Sequence, residues 1–523
     1  MPDRQRAQLA ASEAKDARPG AAPGPEAAAP GVVPPATELD RAAEEALLAH
    51  LGGAPGGAAL VREGLGAFAV RAATARAAAR SLDLQYYMWH GDLTGRLLAR
   101  EVLHAADRGV HVRLLLDDVY ALGRERILAA LDAHPAIEVR LFNGTRWRAF
   151  GRLGFALEMI FGGWHLNRRM HNKAWIADGR VAICGGRNIG DEYFGARANE
   201  FNFRDLDLVL IGAAAEDTRA VFERYWRSPL ARRAALLSAA ASAKAGGGLP
   251  RLRQVLEDAA AVPEARRFIA HLGAVRGAAG HLARGLVAVG RDAVRVVADP
   301  PEKARRGLGA RRRARAAGGI APDIADALRA ARREVLLISP YFVPGEAGLA
   351  LLRDLAGRGV RVSVVTNSLA ATDVVAVHGG YARYRRRLRR AGIALFELKP
   401  SGEADDISVF GSRGASLHTK AFVVDDGPIF VGSFNLDPRS AALNTEMGAF
   451  VSHPTLASEL RAEHDRLADP VRSWRVGLEG GRLTWTGMGA DGRLRTLRHE
   501  PGASLRRRLV AGLVRWLPIE SQL

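Results

Sequence analysis

Residues 171–188, "HNKAWIADGRVAICGGRN", and residues 418–435, "HTKAFVVDDGPIFVGSFN", carry the same polar side chains at the same offsets. Both read His-x-Lys-x4-Asp, then Gly at +14, a small residue at +15 and Asn at +17 from the His. The matched pairs are His171 and His418, Lys173 and Lys420, Asp178 and Asp425, Gly185 and Gly432, Gly186 and Ser433, and Asn188 and Asn435, each 247 positions apart. Lysine is scarce in this chain: besides the matched pair there are only Lys15, Lys244, Lys303 and Lys399 among 75 basic residues. A chain that otherwise uses Arg places Lys at both positions, so the site calls for a compact ammonium rather than a wide planar guanidinium. Chance does not produce two copies with matched Gly and Asn offsets.

Each copy opens a strand ("KAWIA", "KAFVV"), turns at Asp178-Gly179 or Asp426-Gly427, and returns as "RVAICGG" or "PIFVGS". Asp-Gly between apolar runs is a hairpin signal. Residues i and i+2 of a strand share a face, so His171 projects with Lys173 and His418 with Lys420. Asn188 and Asn435, at the exits of the return strands, reach the same face.

The duplication extends beyond these segments. From about residue 80, "SLDLQYYMWHGDLTGRLLAREVLHAADRGVHVRLLLDD" runs strand, turn, amphipathic helix, strand, and so does "REVLLISPYFVPGEAGLALLRDLAGRGVRVSVVTN" from Arg333. Alternating strands and helices predict α/β units with a largely parallel sheet. The expected organisation is a disordered Ala/Pro/Gly-rich tail over 1–40, a first unit over 41–240, and a helical and basic linker over 241–320. A second unit over 321–480 and a C-terminal segment over 481–523 complete it.

A formal charge of +19 suits an anionic partner, nucleic acid or an anionic membrane. The single cysteine, Cys184, excludes an intramolecular disulfide framework and any multi-Cys metal site, and its apolar surroundings predict a buried thiol. No apolar run reaches 18 residues and no signal-peptide core is present, so neither a membrane-spanning helix nor export is expected. The tail "SLRRRLVAGLVRWLPIESQL" interleaves Leu509, Val510, Leu513, Val514, Trp516 and Leu517 with Arg506, Arg507, Arg508 and Arg515, a short basic amphipathic helix.

Two imidazoles, two ammoniums and two amides converging from equivalent halves suit phosphoryl transfer. One His attacks phosphorus and the other protonates the leaving alcohol, while Lys and Asn hold the non-bridging oxygens. Metal binding fits poorly, because Lys is not a usual ligand and neither His has carboxylate or Cys company in the motif.

These motifs resemble the phospholipase D superfamily, whose signature is the duplicated His-Lys-Asp motif. Longer strings, among them "RRMHNKAWIADGRVAICGGRNIGDEYF", "VVADPPEK", "VHGGYARYRRRL", "GSFNLDPRSAALNTE" and "WLPIESQL", are similar to those of bacterial cardiolipin synthases, particularly the cardiolipin synthase C-like branch. The resemblance implies two tandem α/β domains, each a mixed, mostly parallel sheet flanked by helices, related by a pseudo-two-fold with one active site between them. It implies chemistry through a phosphohistidine, with no metal and no cofactor.

The resemblance makes His171, Lys173, Asp178, His418, Lys420 and Asp425 the candidate catalytic set, with His171 favoured as nucleophile. The two aspartates, at hairpin turns, are expected to support the fold rather than touch substrate. Asn188, Asn435 and Ser433 would bind or support the phosphate. An acidic residue on a later strand orients each His in the superfamily: Glu446 fits the second half, and Asp205, with Asp207 or Glu200 as alternatives, the first. Tyr86, Tyr87, Tyr341 and Phe342 are candidates to wall the site; His378, Tyr381 and Tyr384 are candidates to line it, with a structural place on their apolar-flanked segment the favoured alternative. In the stretch before the first motif, Trp147, Phe150, Phe155, Phe161 and Trp164 stand among arginines, as at a membrane interface or as a hydrophobic helix covering the site.

The resemblance implies transfer of a phosphatidyl group from phosphatidylglycerol or phosphatidylethanolamine to phosphatidylglycerol, on the cytoplasmic side of a bacterial inner membrane. Hydrolysis of phospholipids and cleavage of nucleic acid are the alternatives. Expected partners are phospholipids and an anionic membrane surface, with no nucleic acid; a protein partner stays open.

Overall fold

The strand–helix–strand pattern occurs twice in the computed structural model: Ser81–Tyr86, Leu93–Asp107 and His111–Asp117, then Glu334–Ile338, Gly345–Gly357 and Arg361–Asn367. The structure describes residues 37–523 apart from 52–54, 146, 149–150, 161–163, 199–200, 238–247, 273–279, 281–284, 306–308, 310–317, 401–408, 411–413, 490, 518–519 and 523. The helix Leu93–Asp107 starts where the Asp92 carboxylate accepts the Gly95 N–H at 3.1 Å, and it buries Leu97, Leu98, Val102 and Leu103. Its crossover lets the flanking strands pair in parallel.

Each half is built on one large mixed sheet. In the first, edge to edge, run Val287–Ala288, Gly56–Val61, Asp207–Gly212, Val181–Gly185, Ala174–Ala177, Ser81–Tyr86, His111–Asp117, Ile137–Phe142 and Ala231–Arg233. The second runs Val294–Ala298, Met447–Ser452, Pro428–Gly432, Ala421–Val424, Glu334–Ile338, Arg361–Asn367, Ala394–Leu398, Ser473–Glu479, Arg482–Met488 and Leu494–Leu497. The expectation of mostly parallel sheets is corrected. Within the two large sheets only the three strands around each crossover are parallel to one another, and every other neighbouring pair is antiparallel. Hairpins and returning strands dominate once the motif segments are counted in.

The motif hairpins lie back to back. Ala182, Cys184, Leu208 and Leu210 of the first half share one buried core with Ile429, Val431, Ala449 and Val451 of the second. Burial pushes the Cys184 thiol up to about 12, which makes it an inert part of that core.

Several expected boundaries shift. Glu38–Leu51 is a helix tied down by Asp40, which pairs with Arg80 and Arg180, so the last residues of the expected tail are structured; 1–36 lie outside the described residues. The expected linker is divided between the halves. Its helix Gly248–Ala261 lies on the first half through Glu257 with Arg100 and His104, and Arg253 with Asp107. Val287–Ala288 edges the first sheet and Val294–Ala298 the second. Most of the arginine run after Lys303 lies outside the described residues, as do the side chains of Phe150, Phe155, Phe161 and Trp164.

The C-terminal helix Leu505–Val514 docks by one face. Ala511 and Val514 are buried against the helix Val375–Ala382, where any Cβ on Gly379 would come 2.8 Å from the Ala511 carbonyl oxygen. Arg507 donates to the Leu369 carbonyl at 2.9 Å and Arg508 to that of Glu500 at 2.8 Å, so two of the four arginines face inward. Leu505, Leu509, Leu513 and Trp516 stay exposed, Trp516 at 82%. Among the described residues no helix is long and apolar enough to cross a membrane.

Candidate active site

The residue before each His is anchored at the end of the first parallel pair. Asp117 accepts the Met170 N–H at 2.9 Å, and its counterpart Asn367 accepts that of Leu417 at 2.8 Å. Each following backbone N–H crosses to the other half. His171 donates to the Thr445 carbonyl at 2.8 Å, and His418 to the Arg204 carbonyl at 2.7 Å. Gly414–Leu417 also pairs in parallel with Phe201–Arg204, so the two halves exchange main-chain hydrogen bonds at the site itself.

That exchange decides which carboxylate each imidazole meets. Nδ1 of His171 lies 2.8 Å from Oε2 of Glu446, and Nδ1 of His418 lies 2.6 Å from Oδ2 of Asp205. The pairing of acid and His within one half is therefore corrected: each acid orients the other half's His. Asp205 and Glu446 are equivalent, two residues before Asp207 and Gly448, which pair with Gly185 and Gly432. Asp207 instead binds Arg71 at 2.9 Å and Arg187 at 3.3 Å in the first half's interior; Glu200 lies outside the described residues.

The motif's small residues now have reasons. A Cβ on Gly185 would lie 2.5 Å from the Leu206 carbonyl oxygen, and one on Gly432 2.4 Å from that of Met447, because the acid-bearing strand passes that close. A Cβ on Gly186 would lie 2.2 Å from Asp205 Oδ1. In the second half Ser433 occupies this position and donates its hydroxyl to Glu446 Oε2 at 2.5 Å, so it supports the acid. The Glu446 N–H is held by Asp299 at 3.0 Å, and Asp299 pairs with Lys303 at 2.7 Å, which gives "VVADPPEK" its place.

Both histidines and both lysines are buried, each lysine donating to its own histidine's carbonyl. Burial lowers His171 to about 4 against the pull of Glu446, and burial with the neighbouring Lys420 holds His418 well below its usual value. Burial also lowers Lys173 well below the ordinary ammonium range and Lys420 to about 8. Burial pushes Asp205 up; in Glu446 the facing His171 and Lys173 overcome burial and bring it down. Neutral imidazoles with Nδ1–H given to a carboxylate keep Nε2 as a free lone pair, the form a nucleophile or base needs. Lys420 lies close enough to depress Lys173, so the two ammoniums stand together where a phosphate's charge would meet them.

Asn188 and Asn435 are held differently. Asn188 accepts the Met88 N–H at 3.2 Å and donates to the Tyr193 hydroxyl at 2.8 Å. Asn435 has its backbone N–H on Ser440 Oγ at 3.3 Å, while its side-chain oxygen is buried without a partner. Asp178 and Asp425 sit at the far ends of the hairpins, seven residues or about 20 Å of strand from each His. Asp178 accepts the backbone N–H groups of Ala79, Arg80 and Ser81, and Asp425 those of Arg332, Arg333 and Glu334. Both adopt φ 52°, so in the second hairpin the left-handed residue is Asp425 rather than the Asp426-Gly427 pair read from sequence.

Of the four expected wall residues, Tyr87 reaches the site, its ring edge-on to His171 at 5.1 Å. Tyr86 is fully buried and bonded to Arg71, and Phe342 belongs to the second core. Tyr341 stands beside the site, donating at 2.6 Å to Asp373, a carboxylate close enough to act on His418 and Lys420. His378, Tyr381 and Tyr384 take the structural place: they pack beneath the C-terminal helix, with Tyr384 donating to Glu520. Tyr193 and Phe203, which sequence reasoning missed, flank His418 at 5.2 and 5.0 Å. The signal for Tyr193 was its place five residues after Asn188, matched by Ser440 after Asn435.

The chain matches the family model described as "Cardiolipin synthase, PLD-like domain" over residues 72–226 and 324–468. It is 38% identical to cardiolipin synthase C of Escherichia coli (strain K12), over 88% of this chain and 94% of that protein. It is 26% identical to cardiolipin synthase A of Pseudomonas entomophila (strain L48), over 79% of this chain and 67% of that protein. The crystal structure of phosphatidylserine synthase from Haemophilus influenzae Rd KW20 superposes with a TM-score of 0.55 over 89% of this chain and 95% of that one; at 12% identity this speaks for the fold alone. With its two family segments, its tandem sheets and relatives of this kind, the chain belongs to the phospholipase D-like cardiolipin synthase family, as an enzyme of that type.

Proposed function

We propose that the chain is a phosphatidyltransferase that makes cardiolipin through a phosphohistidine. The observation that carries this reading is the pair of imidazoles, each oriented by the other half's carboxylate, beside two buried lysines. His171 Nε2 attacks the phosphorus of phosphatidylglycerol or phosphatidylethanolamine. The N–P bond forms, the P–O bond to glycerol or ethanolamine breaks, and His418 supplies the proton the leaving alcohol needs. An arriving phosphodiester brings negative charge and favours the protonated forms of both lysines and of one imidazole, which prepares His418 as the acid. A hydroxyl of a second phosphatidylglycerol then gives its proton to His418 and attacks phosphorus as the N–P bond breaks. Lys173, Lys420 and Asn435 hold the non-bridging oxygens, and Asn188 contributes its remaining N–H.

The enzyme works from the anionic cytoplasmic face of the bacterial inner membrane. The exposed Leu505, Leu509, Leu513 and Trp516 enter the interface, and the outward Arg506 and Arg515 add about 1 kcal/mol each. Liposome flotation tests this: binding indifferent to anionic lipid and to salt overturns the electrostatic part.

Purified enzyme with vesicles of phosphatidylglycerol and phosphatidylethanolamine is expected to give cardiolipin and free headgroup alcohol by mass spectrometry, with undiminished activity in a chelator. Mainly phosphatidic acid would make it a hydrolase, and comparable cleavage of DNA a nuclease. Activity lost to the chelator and restored by Mg²⁺ or Zn²⁺ would overturn the mechanism.

A further inference from the structure

The first half contains a cavity of about 490 Å³ roofed by three helices, Leu93–Asp107, Glu125–Asp132 and Gly248–Ala261, over the strand His111–Asp117. Its interior surface is built mainly by apolar side chains, Val102, Leu114, Leu116, Leu128, Leu131 and Leu256 among them. Native interiors leave few voids larger than a water, so an apolar space of this size is a ligand-sized site rather than a packing defect. Two of its lining residues belong also to the catalytic site. Tyr87 packs against His171, with Lys173 Nζ 5.5 Å from the centre of its ring, and Asp117 holds the residue before that His. At the outer rim Tyr120, Ile127 and Val255 are 40%, 49% and 42% exposed, so the cavity also opens sideways through an apolar lip.

At the corresponding place in the second half, described side chains pack against one another. Trp89 and Phe342 correspond, each bridging the residue after the motif Asn, Ile189 or Leu436. Trp89 lines the cavity, whereas Phe342 lies against Tyr381 at 6.0 Å in a core that also takes Val514 of the C-terminal helix.

We propose that the cavity holds one acyl chain of the donor phospholipid, the lipid whose phosphorus lies between His171 and His418. This rests on the phosphatidyltransferase reading and adds to it a location for the donor's tail. Tyr87 both lines the space and packs against His171, the lining is mainly apolar, and its lip offers a lateral entry from a lipid surface. The packing around Phe342 contrasts with the hollow beside Trp89, and so it is the first half that takes the donor chain.

Two measurements test it. Phosphatidylglycerol carrying a diazirine at mid-chain, photolysed on the unaltered full-length protein, is expected to label the helices 125–132 and 248–261; labelling confined to the C-terminal helix or to other surfaces overturns the proposal. Ala99→Phe, which projects a ring into the cavity, is expected to lower kcat/KM for dioleoyl relative to dihexanoyl phosphatidylglycerol at least tenfold, since the short chain ends before the obstruction. An unchanged ratio in a variant of unaltered Tm overturns the proposal. If Ala99→Phe does not fold, the labelling pattern decides alone. Failure of the unaltered enzyme to turn over either lipid would bring down the phosphatidyltransferase reading and this proposal with it. Turnover of both lipids with labels elsewhere would bring down the cavity assignment only.

Discussion

Around Trp89, in the first half, side chains leave a hollow; around Phe342, its counterpart, Tyr381 and the C-terminal helix fill the space. Yet where the halves meet they are near copies, each giving a His, a Lys, a close-passing Gly and a carboxylate for the other's imidazole. The difference teaches how a duplicated fold divides its tasks. Chemistry that needs two like groups facing one atom keeps the interface symmetric. Features on the outward faces are under no such constraint, so one half becomes a candidate pocket and the other the seat of an exposed apolar helix.

The symmetry at the interface can be broken directly. His171→Ala and His418→Ala should each lower turnover at least about 10³-fold, because each imidazole has a step of its own. Retention of more than a few per cent by either variant would separate the halves. Radiolabel trapped from the donor lipid should lie on His171, and label on His418 would reverse the roles.

Next come the crossed acids. Glu446→Gln and Asp205→Asn should each cost about 10²-fold, within the range for acid–base groups. In ¹⁵N-histidine NMR, Glu446→Gln should perturb His171 and leave His418 little changed, with the converse for Asp205→Asn. Perturbation of the His in the same half would undo the exchange.

The pH profile sharpens the comparison further. A nucleophile must be neutral, so protonation of His171, which burial brings to about 4, should set the acid limb of kcat/KM, with a tenfold fall per unit below it. Loss of charge from Lys420 at about 8 should add a further fall at high pH. A lower limb near 6.5 would mean that His171 is not desolvated.

The smallest effects belong to the hairpin turns. Asp178→Asn and Asp425→Asn each weaken three backbone hydrogen bonds to a charged acceptor, about 1–3 kcal/mol, and should lower Tm by several degrees with kcat nearly intact. Asp425 is depressed in the folded state: burial opposes this, and the three backbone donors with Arg333 overcome it. Its contribution is therefore complete above the ordinary carboxyl value and is lost as pH falls through the folded one. Abolished turnover with an unchanged melting curve would place these aspartates in the chemistry.

The site's membership was legible because strand periodicity puts His and Lys on one face and repetition makes the motif visible twice. Glu446 and Asp205 were legible as acids on later strands, but spacing along a chain does not say which half an acid turns toward. That depends on main-chain exchange between Phe201–Arg204 and Gly414–Leu417, a long-range contact. The share of parallel pairing was overread for a related reason: strand–helix–strand units announce themselves, while returning antiparallel strands carry no comparable local mark. Tyr193 and the cavity were missed because both arise from packing, the one across the motif loop and the other under a helix that composition marked as linker.

The exchange of carboxylates has a consequence for biogenesis. A nascent first half, folded before the second has left the ribosome, holds His171 without Glu446 and beside no second imidazole. On the proposed mechanism it lacks a complete reactive centre, as does a proteolytic fragment of either half. Assembly of the two halves is thus, on that mechanism, the step that completes the catalytic site.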